Sequence, residues 1–238
     1  INPITGQLFS IPSLDMGGYA DLRFILREGG SMGDLYSRTD LRRDANGAIY
    51  MDESNNVYTQ KIDNPDSYIK LGSVLPKGNL AWRNNFMWKN FHVGFMISAR
   101  LGGVVFSRTQ AVLDKFGVSE ASADARDNGF VLINGNDRIN PENWYTTVGS
   151  TAVPQYYTYS ATNVRLQEAS IGYTIPRKWL ANICDIKVSL IGRNLWMIYN
   201  KAPFDPEAVA STDNFYQGID NFMMPSLRNV GFSLNFKF

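Results

Sequence analysis

The chain has 238 residues, a formal net charge of +1, one histidine and one cysteine. That is long enough for a sizeable core, but it lacks the basic excess of a nucleic-acid binder, the ligands of a zinc site and the partner for an internal disulfide. Mean hydropathy is −0.22 and no run of about 18 apolar residues occurs, which excludes a transmembrane helix but not a membrane β-barrel, where only every second strand residue meets lipid.

In chain order, the first strand signal lies in residues 19–27, where Leu22, Phe24 and Leu26 alternate with polar neighbours. Residues 31–39 are a second candidate, almost without pattern. Asp44-Ala45-Asn46-Gly47 predicts a type I′ hairpin turn. Leu80, Trp82, Phe86 and Trp88 then share one face, with Arg83, Asn85 and Met87 on the other. Lys89-Asn90 links this run to Phe91, Val93, Phe95, Ile97, Ala99 and Leu101, which alternate with His92, Gly94, Met96, Ser98 and Arg100. A two-residue turn makes Trp88 and Phe91 cross-strand neighbours. Residues 107–116 have helical spacing, with Gly117 as the stop. In residues 162–175, Ala169, Ile171, Tyr173 and Ile175 alternate, while Val164 and Leu166 are out of phase, predicting a bulge near Gln167-Glu168. Ile186, Val188 and Leu190 mark a strand over 184–198. Val230, Phe232, Leu234, Phe236 and Phe238 close the chain in the same alternation.

The connections alternate in length: 28–30, 89–90 and 176–183 are short, whereas 40–78, 102–161 and 199–225 are long. All long loops therefore belong to one side of the sheet, as in transmembrane barrels, with short turns periplasmic and long loops outside. The reading is an all-β transmembrane barrel segment of about seven strands, residues 1–238 forming a single C-terminal portion. Ile1-Asn2-Pro3 is no signal peptide, so an exported barrel is expected to have further chain upstream. The competing readings are a soluble β-sandwich acting as a carbohydrate-binding module, a passive porin-like barrel, and, last, an enzyme. No GxSxG, Walker A or GxGxxG motif occurs, and no cofactor is implied.

Three stretches carry a resemblance. Residues 89–107 contain Lys89-Asn90-Phe91, Arg100-Leu101-Gly102-Gly103 and Val105-Phe106-Ser107. Residues 166–176 contain Leu166-Gln167-Glu168-Ala169-Ser170-Ile171-Gly172-Tyr173-Thr174-Ile175-Pro176. The third is Gly192-Arg193-Asn194-Leu195, followed by Lys201-Ala202-Pro203-Phe204-Asp205-Pro206-Glu207 and the Phe-ended last strand. A fourth, weaker match is Gly29-Gly30-Ser31-Met32-Gly33-Asp34-Leu35-Tyr36. In order and spacing the chain resembles the late barrel of SusC/RagA-type TonB-dependent outer-membrane transporters. The resemblance implies a barrel of about 22 antiparallel strands, with a plug and a TonB-engaging segment in the N-terminal part. It further implies a SusD-like surface lipoprotein as lid, and an oligosaccharide or a peptide as cargo.

On this reading Trp88, Phe91, Trp179 and Phe238 form a periplasmic aromatic girdle, and Trp196 and Tyr199 an outer one. Phe95, Ile97, Phe232 and Phe236 face lipid. Arg100 and Arg193 face the lumen, in an ion-pair network with plug carboxylates or along the solute path. Trp144, Tyr145, Tyr156, Tyr157 and Tyr159, in the second long loop, are candidates for solute or lid contact, against a packing role. Asp44, Asn46, Gly47 and Glu53 occupy calcium-loop positions, but Arg42 stands where an acidic ligand is needed, so a turn is expected. Asp205 and Glu207 read as structural carboxylates, and neither His92 nor Cys184 has a catalytic neighbour in sequence.

Overall fold

The computed structural model describes residues 13–151, 153–180, 183–211 and 216–237. They divide into two compact units. One takes the described residues up to Leu75 with Val104–Tyr159 and Val209–Met223; the other takes Pro76–Gly103, Ser160–Ala208 and those from Met224 on.

The second unit is a meander of five antiparallel strands in sequential order: β1 (Gly78–Trp88), β2 (Phe91–Leu101), β3 (Asn163–Ile175), β4 (Asp185–Asn200) and β5 (Asn229–Lys237). The alternation read from the sequence becomes its two faces. Lys89 takes φ +53° in the two-residue turn, and Trp88 pairs with Phe91 as expected. The bulge is also present: pairing skips Gln167 between Leu166 and Glu168, restoring Val164 and Leu166 to the apolar face beside Ala99 and Ile97. At the same level β4 passes over Asn194-Leu195, with Asn194 in the left-handed region at φ +52°. That is the structural content of the Gly192-Arg193-Asn194-Leu195 motif, because asparagine tolerates this conformation better than most residues. Phe238 lies outside the described residues.

The first unit holds a four-stranded antiparallel sheet of Ser13–Tyr19, Leu22–Arg27, Asp34–Ser37 and Ile69–Ser73. The 31–39 segment lacks alternation because all four residues of Asp34–Ser37 are buried, leaving no wet face to impose period two. Buried Asp34 is bonded by Lys70 Nζ at 2.5 Å and by the Ser31 hydroxyl at 3.0 Å. Three helices follow the strand Val104–Ser107: α1 (Arg108–Lys115), α2 (Glu120–Asn128) and α3 (Pro141–Thr151). The Ser107 and Ser119 side chains cap α1 and α2. A Cβ on Gly149 would come within 2.6 Å of the Ala111 carbonyl oxygen, so glycine is what lets α3 pack on α1. The core gathers Leu22, Phe24, Leu35, Phe106, Ile139, Trp144, Val148 and Tyr157.

The predicted type I′ turn is corrected. Among residues 44–47 only Gly47 has positive φ (+83°), and the Gly47 amide donates to the Asp44 carbonyl at 3.1 Å. This is a type I turn followed by a left-handed residue, the three-residue hairpin loop. Asp52 to Asn56 repeats it, with Asn55 at φ +60°. In each copy the aspartate caps the turn, Asp44 Oδ1 accepting from the Asn46 and Ala48 amides and Asp52 Oδ1 from the Ser54 and Asn56 amides. With the Tyr58 hydroxyl and the Asn56 amide bonded to it, the Asp52 carboxyl falls to about 2. Gly47→Ala is expected to destabilise the hairpin by about 1 kcal/mol, the cost of a Cβ in the left-handed region. Tryptic cleavage after Arg42 and Arg43 in the intact protein should rise about fivefold; an unchanged rate would contradict this assignment.

Candidate functional site

The five-stranded sheet places chemistry on opposite sides of one layer. On the apolar side the row Phe86–Val93–Ile171–Leu190–Phe232 crosses all five strands. Neighbouring strands stand about 4.8 Å apart, so the row runs roughly 19 Å. All five of its side chains are exposed. Flanking rows bring Phe95 against Trp82 and Phe86, with ring centroids at 5.4 and 6.2 Å, and Phe91 against Tyr173 at 4.8 Å. Ile97 pairs with Trp82 and Leu166 in the next row. Of the girdle candidates, Trp88 and Phe91 stack at the short-turn end, and Trp179 is exposed on the 3-10 turn Arg177–Trp179 between β3 and β4. Trp196 and Tyr199 share the apolar face at the long-loop end, beside Leu166 and Val164. Phe232 and Phe236 stand exposed on β5.

The other side is polar. Arg83, Met96, Glu168, Arg193 and Asn229 form one row, in which Glu168 reaches Arg83 across two strands on one side and Arg193 on the adjacent strand on the other. Its Oε1 lies 3.2 Å from Arg83 Nη2 and its Oε2 3.6 Å from Arg193 Nε. Arg100 lies further along the same face, opposite Asn79 and Asn163. His92 Nε2 is 2.9 Å from Thr174 Oγ1, a cross-strand bond near the short turns.

At the long-loop end, the bulges position a residue that sequence reasoning missed. The Arg165 side chain is 3% exposed and makes four hydrogen bonds and a second ion pair through its guanidinium. Nη2 faces Asp205 Oδ1 at 2.9 Å and Glu207 Oε2 at 3.2 Å. Nη1 faces Asn194 Oδ1 and Ser226 Oγ, both at 3.4 Å, and Nε faces Asn163 Oδ1 at 3.3 Å. The Ser226 hydroxyl donates to Asp205 Oδ2, and Asn163 Nδ2 donates to Glu207 Oε1 at 3.2 Å. Burial raises the Asp205 pKa, but the bonds from Ser226, from the Glu207 amide and from Arg165 outweigh it, so the carboxyl titrates below the usual range. Asn200 folds the loop entry by donating to the Ala202 and Phe204 carbonyls at 2.9 and 2.7 Å. The Lys201–Glu207 motif is thus a loop clamped at both ends. Asp205 and Glu207 are structural, as expected, while their partner lay 40 residues upstream, beyond any local pattern.

The loop aromatics fare differently. Trp144 (8% exposed) and Tyr157 (2% exposed) are core residues, so their proposed contact with a solute or lid is corrected to packing: apolar area gains more inside this helical unit than on its surface. Trp144 meets Tyr156 edge to face at 5.4 Å. Tyr145, Tyr156 and Tyr159 are half-buried. Burial raises the phenol pKa of each, that of Tyr159 to about 12 with the Asp114 charge adding to it. Tyr145 donates to the Ala121 carbonyl at 3.2 Å, beside a cavity of about 260 Å³ lined by α1, α2 and α3.

Comparison with known proteins finds no matching protein-family model. The chain is 27% identical over 207 residues to the TonB-dependent receptor P3 of Formosa agariphila, covering 82% of this chain and 19% of that protein. It therefore spans about a fifth of that relative's length. A structure of the RagAB peptide importer in the "closed-closed" state aligns with a TM-score of 0.61 at 14% identity, over 98% of this chain and 25% of the other. A second, in the "open-open" state, gives 0.58 at 12%, over 95% and 28%. At such identities the structural likeness speaks for the fold.

Proposed function

Because the chain is a SusC/RagA-like TonB-dependent receptor segment of β-barrel fold in the outer membrane, we propose that it serves as barrel wall in TonB-driven import of an oligosaccharide or a peptide. Residues 1–238 form one C-terminal stretch of that barrel, and the remaining strands, the plug and the TonB-engaging segment belong to the rest of the receptor. A SusD-like lipoprotein covers its outer mouth, in contact with the long loops.

The observation that carries this reading is the exposure of both faces of the sheet. A water-soluble sandwich buries one face of each sheet against the other, and soluble monomers rarely leave a contiguous apolar surface of this extent. Here tryptophan, phenylalanine and leucine project from one side and arginine and glutamate from the other. The strands run to 11, 11, 13, 16 and 9 residues, against about 9–11 tilted residues needed to cross the hydrocarbon layer. In that layer unpaired backbone groups cost several kcal/mol each, so β1 and β5, each with one neighbour in this sheet, call for further strands until the barrel closes. On this reading Arg100 and Arg193 line the lumen, and Trp88, Phe91, Phe95, Ile97, Trp179, Phe232 and Phe236 face lipid or its interfaces. The half-buried Tyr145, Tyr156 and Tyr159 remain available to the lid or the solute.

The test is expression of the full reading frame in its native background. The receptor should fractionate with the outer membrane, run as a heat-modifiable band, and co-purify with a surface lipoprotein. Uptake of its cargo should stop when TonB is deleted. Recovery of the folded receptor from the soluble fraction without detergent would overturn the barrel-wall reading, and uptake unaffected by loss of TonB would overturn active import.

A further inference from the structure

We propose that the polar face of the sheet carries a binding site for a carboxylate-bearing solute, centred on Arg83 and Arg193. The inference rests on reading that face as the lumen wall, and it adds the chemical class of the cargo.

Glu168 sits between the two arginines and engages one edge of each guanidinium. Their side chains remain 60% and 69% exposed, whereas that of Glu168 is 24% exposed. One carboxylate against two guanidiniums leaves a net positive charge. It also supplies a shared counter-ion on one side of each head, leaving their other edges open to a second carboxylate, the anion a planar guanidinium binds in two-point fashion.

The neighbouring row adds neutral polar groups. Gly94 lies between Asn85 and Ser170, and a Cβ there would stand 2.7 Å from Asn85 Oδ1 and 3.0 Å from Ser170 Oγ. The absent side chain lets amide and hydroxyl converge beside the arginine row. The rest of the face has the same sign: Arg100, Lys187 and Lys237 outnumber Asp185, which is already paired with Arg177 at 3.2 Å. A low-dielectric wall with one sign of charge concentrates anions near it.

Binding to the whole receptor in detergent tests this, using oligoglutamate against oligoglutamine and oligogalacturonate against its methyl ester. The two pairs distinguish a peptide source of the carboxylate from a sugar source. At least one acidic probe should bind more tightly than its neutral counterpart, and R83Q/R193Q should lower that affinity about tenfold or more. R83K/R193K, which keeps the charge, should retain part of the preference and serves as the folding control. Equal affinity for acidic and neutral probes, or no binding of either acidic probe by the native receptor, overturns the site. So does an R83Q/R193Q receptor that binds like the native one while its N-terminal part becomes protease-sensitive, since the arginines would then hold the protein's own carboxylates. A receptor that stays in the outer membrane and imports with TonB in any of these cases leaves the import reading intact.

Discussion

Replacing Arg165 with methionine is expected to release the Lys201–Glu207 loop and to destabilise the long-loop end of the sheet by about 3–5 kcal/mol. Methionine keeps much of the volume but leaves the carboxylate of Asp205, 8% exposed, and that of Glu207 without their cation. Loss of one partner of a buried ion pair costs more than the pair contributes, because the remaining charge stays desolvated. In the whole receptor, trypsin should then cut after Lys201 under conditions where the native protein is resistant. Arg165→Lys, with three donors instead of five, should fall between. The same clamp sets a pH dependence. The folded Asp205 carboxyl titrates below its ordinary value, so its contribution is complete above the ordinary carboxylate pKa and is lost as pH falls through the depressed one. Protection of Lys201 should therefore hold at pH 7 and pH 5 and fail only below about pH 4. Native-like resistance of Arg165→Met would remove the clamp from this account.

Phe232→Arg is expected to cost about 2–4 kcal/mol and to sharply reduce assembly into the outer membrane, the penalty for a cation on the lipid face near mid-bilayer. Ser233→Arg, one residue on, should stay within about 0.5 kcal/mol of native. The two positions are adjacent on an exposed strand and belong to opposite rows, Phe232 with Leu190 and Ser233 with Ser189. Propensity and local backbone are shared, so the difference isolates the medium each side chain meets. If Phe232, 77% exposed here, faced water, arginine would be tolerated equally well at both positions. Equal folded yields in a heat-modifiability assay would therefore contradict the lipid-facing assignment.

How legible these features were follows from the range over which each is determined. The hairpin at Lys89-Asn90, the two faces of β2 and the bulge beside Gln167 depend on residues close together in sequence, and period two reports them directly. The fully buried strand Asp34–Ser37 gave almost no signal, because burial on both faces removes the contrast that alternation measures. The turn at Asp44 was mistyped because Asn-Gly suits both a primed two-residue turn and a three-residue loop, and only the Asp44-to-Ala48 pairing selects the latter. Helix α2 has a weak apolar stripe, EASADARDN, so no period betrayed it. Trp144 and Tyr157 looked like surface aromatics because the core they join is gathered from segments distant in sequence, Leu22 and Phe24 among its members. Arg165 could be placed on a strand, but its acceptors on residues 205, 207 and 226 come together only through the fold.

The mated irregularities of β3 and β4 bear on assembly. Gln167 bulges where Asn194-Leu195 bulges opposite it, so sliding one strand past the other by two residues, which would keep lipid and lumen faces intact in a regular hairpin, brings each bulge against straight chain. The pair works as a key and notch, leaving one alignment in which both the ladder and the faces are satisfied. Shifted alignments of this hairpin therefore lose ladder bonds at the level where Arg165 meets its loop.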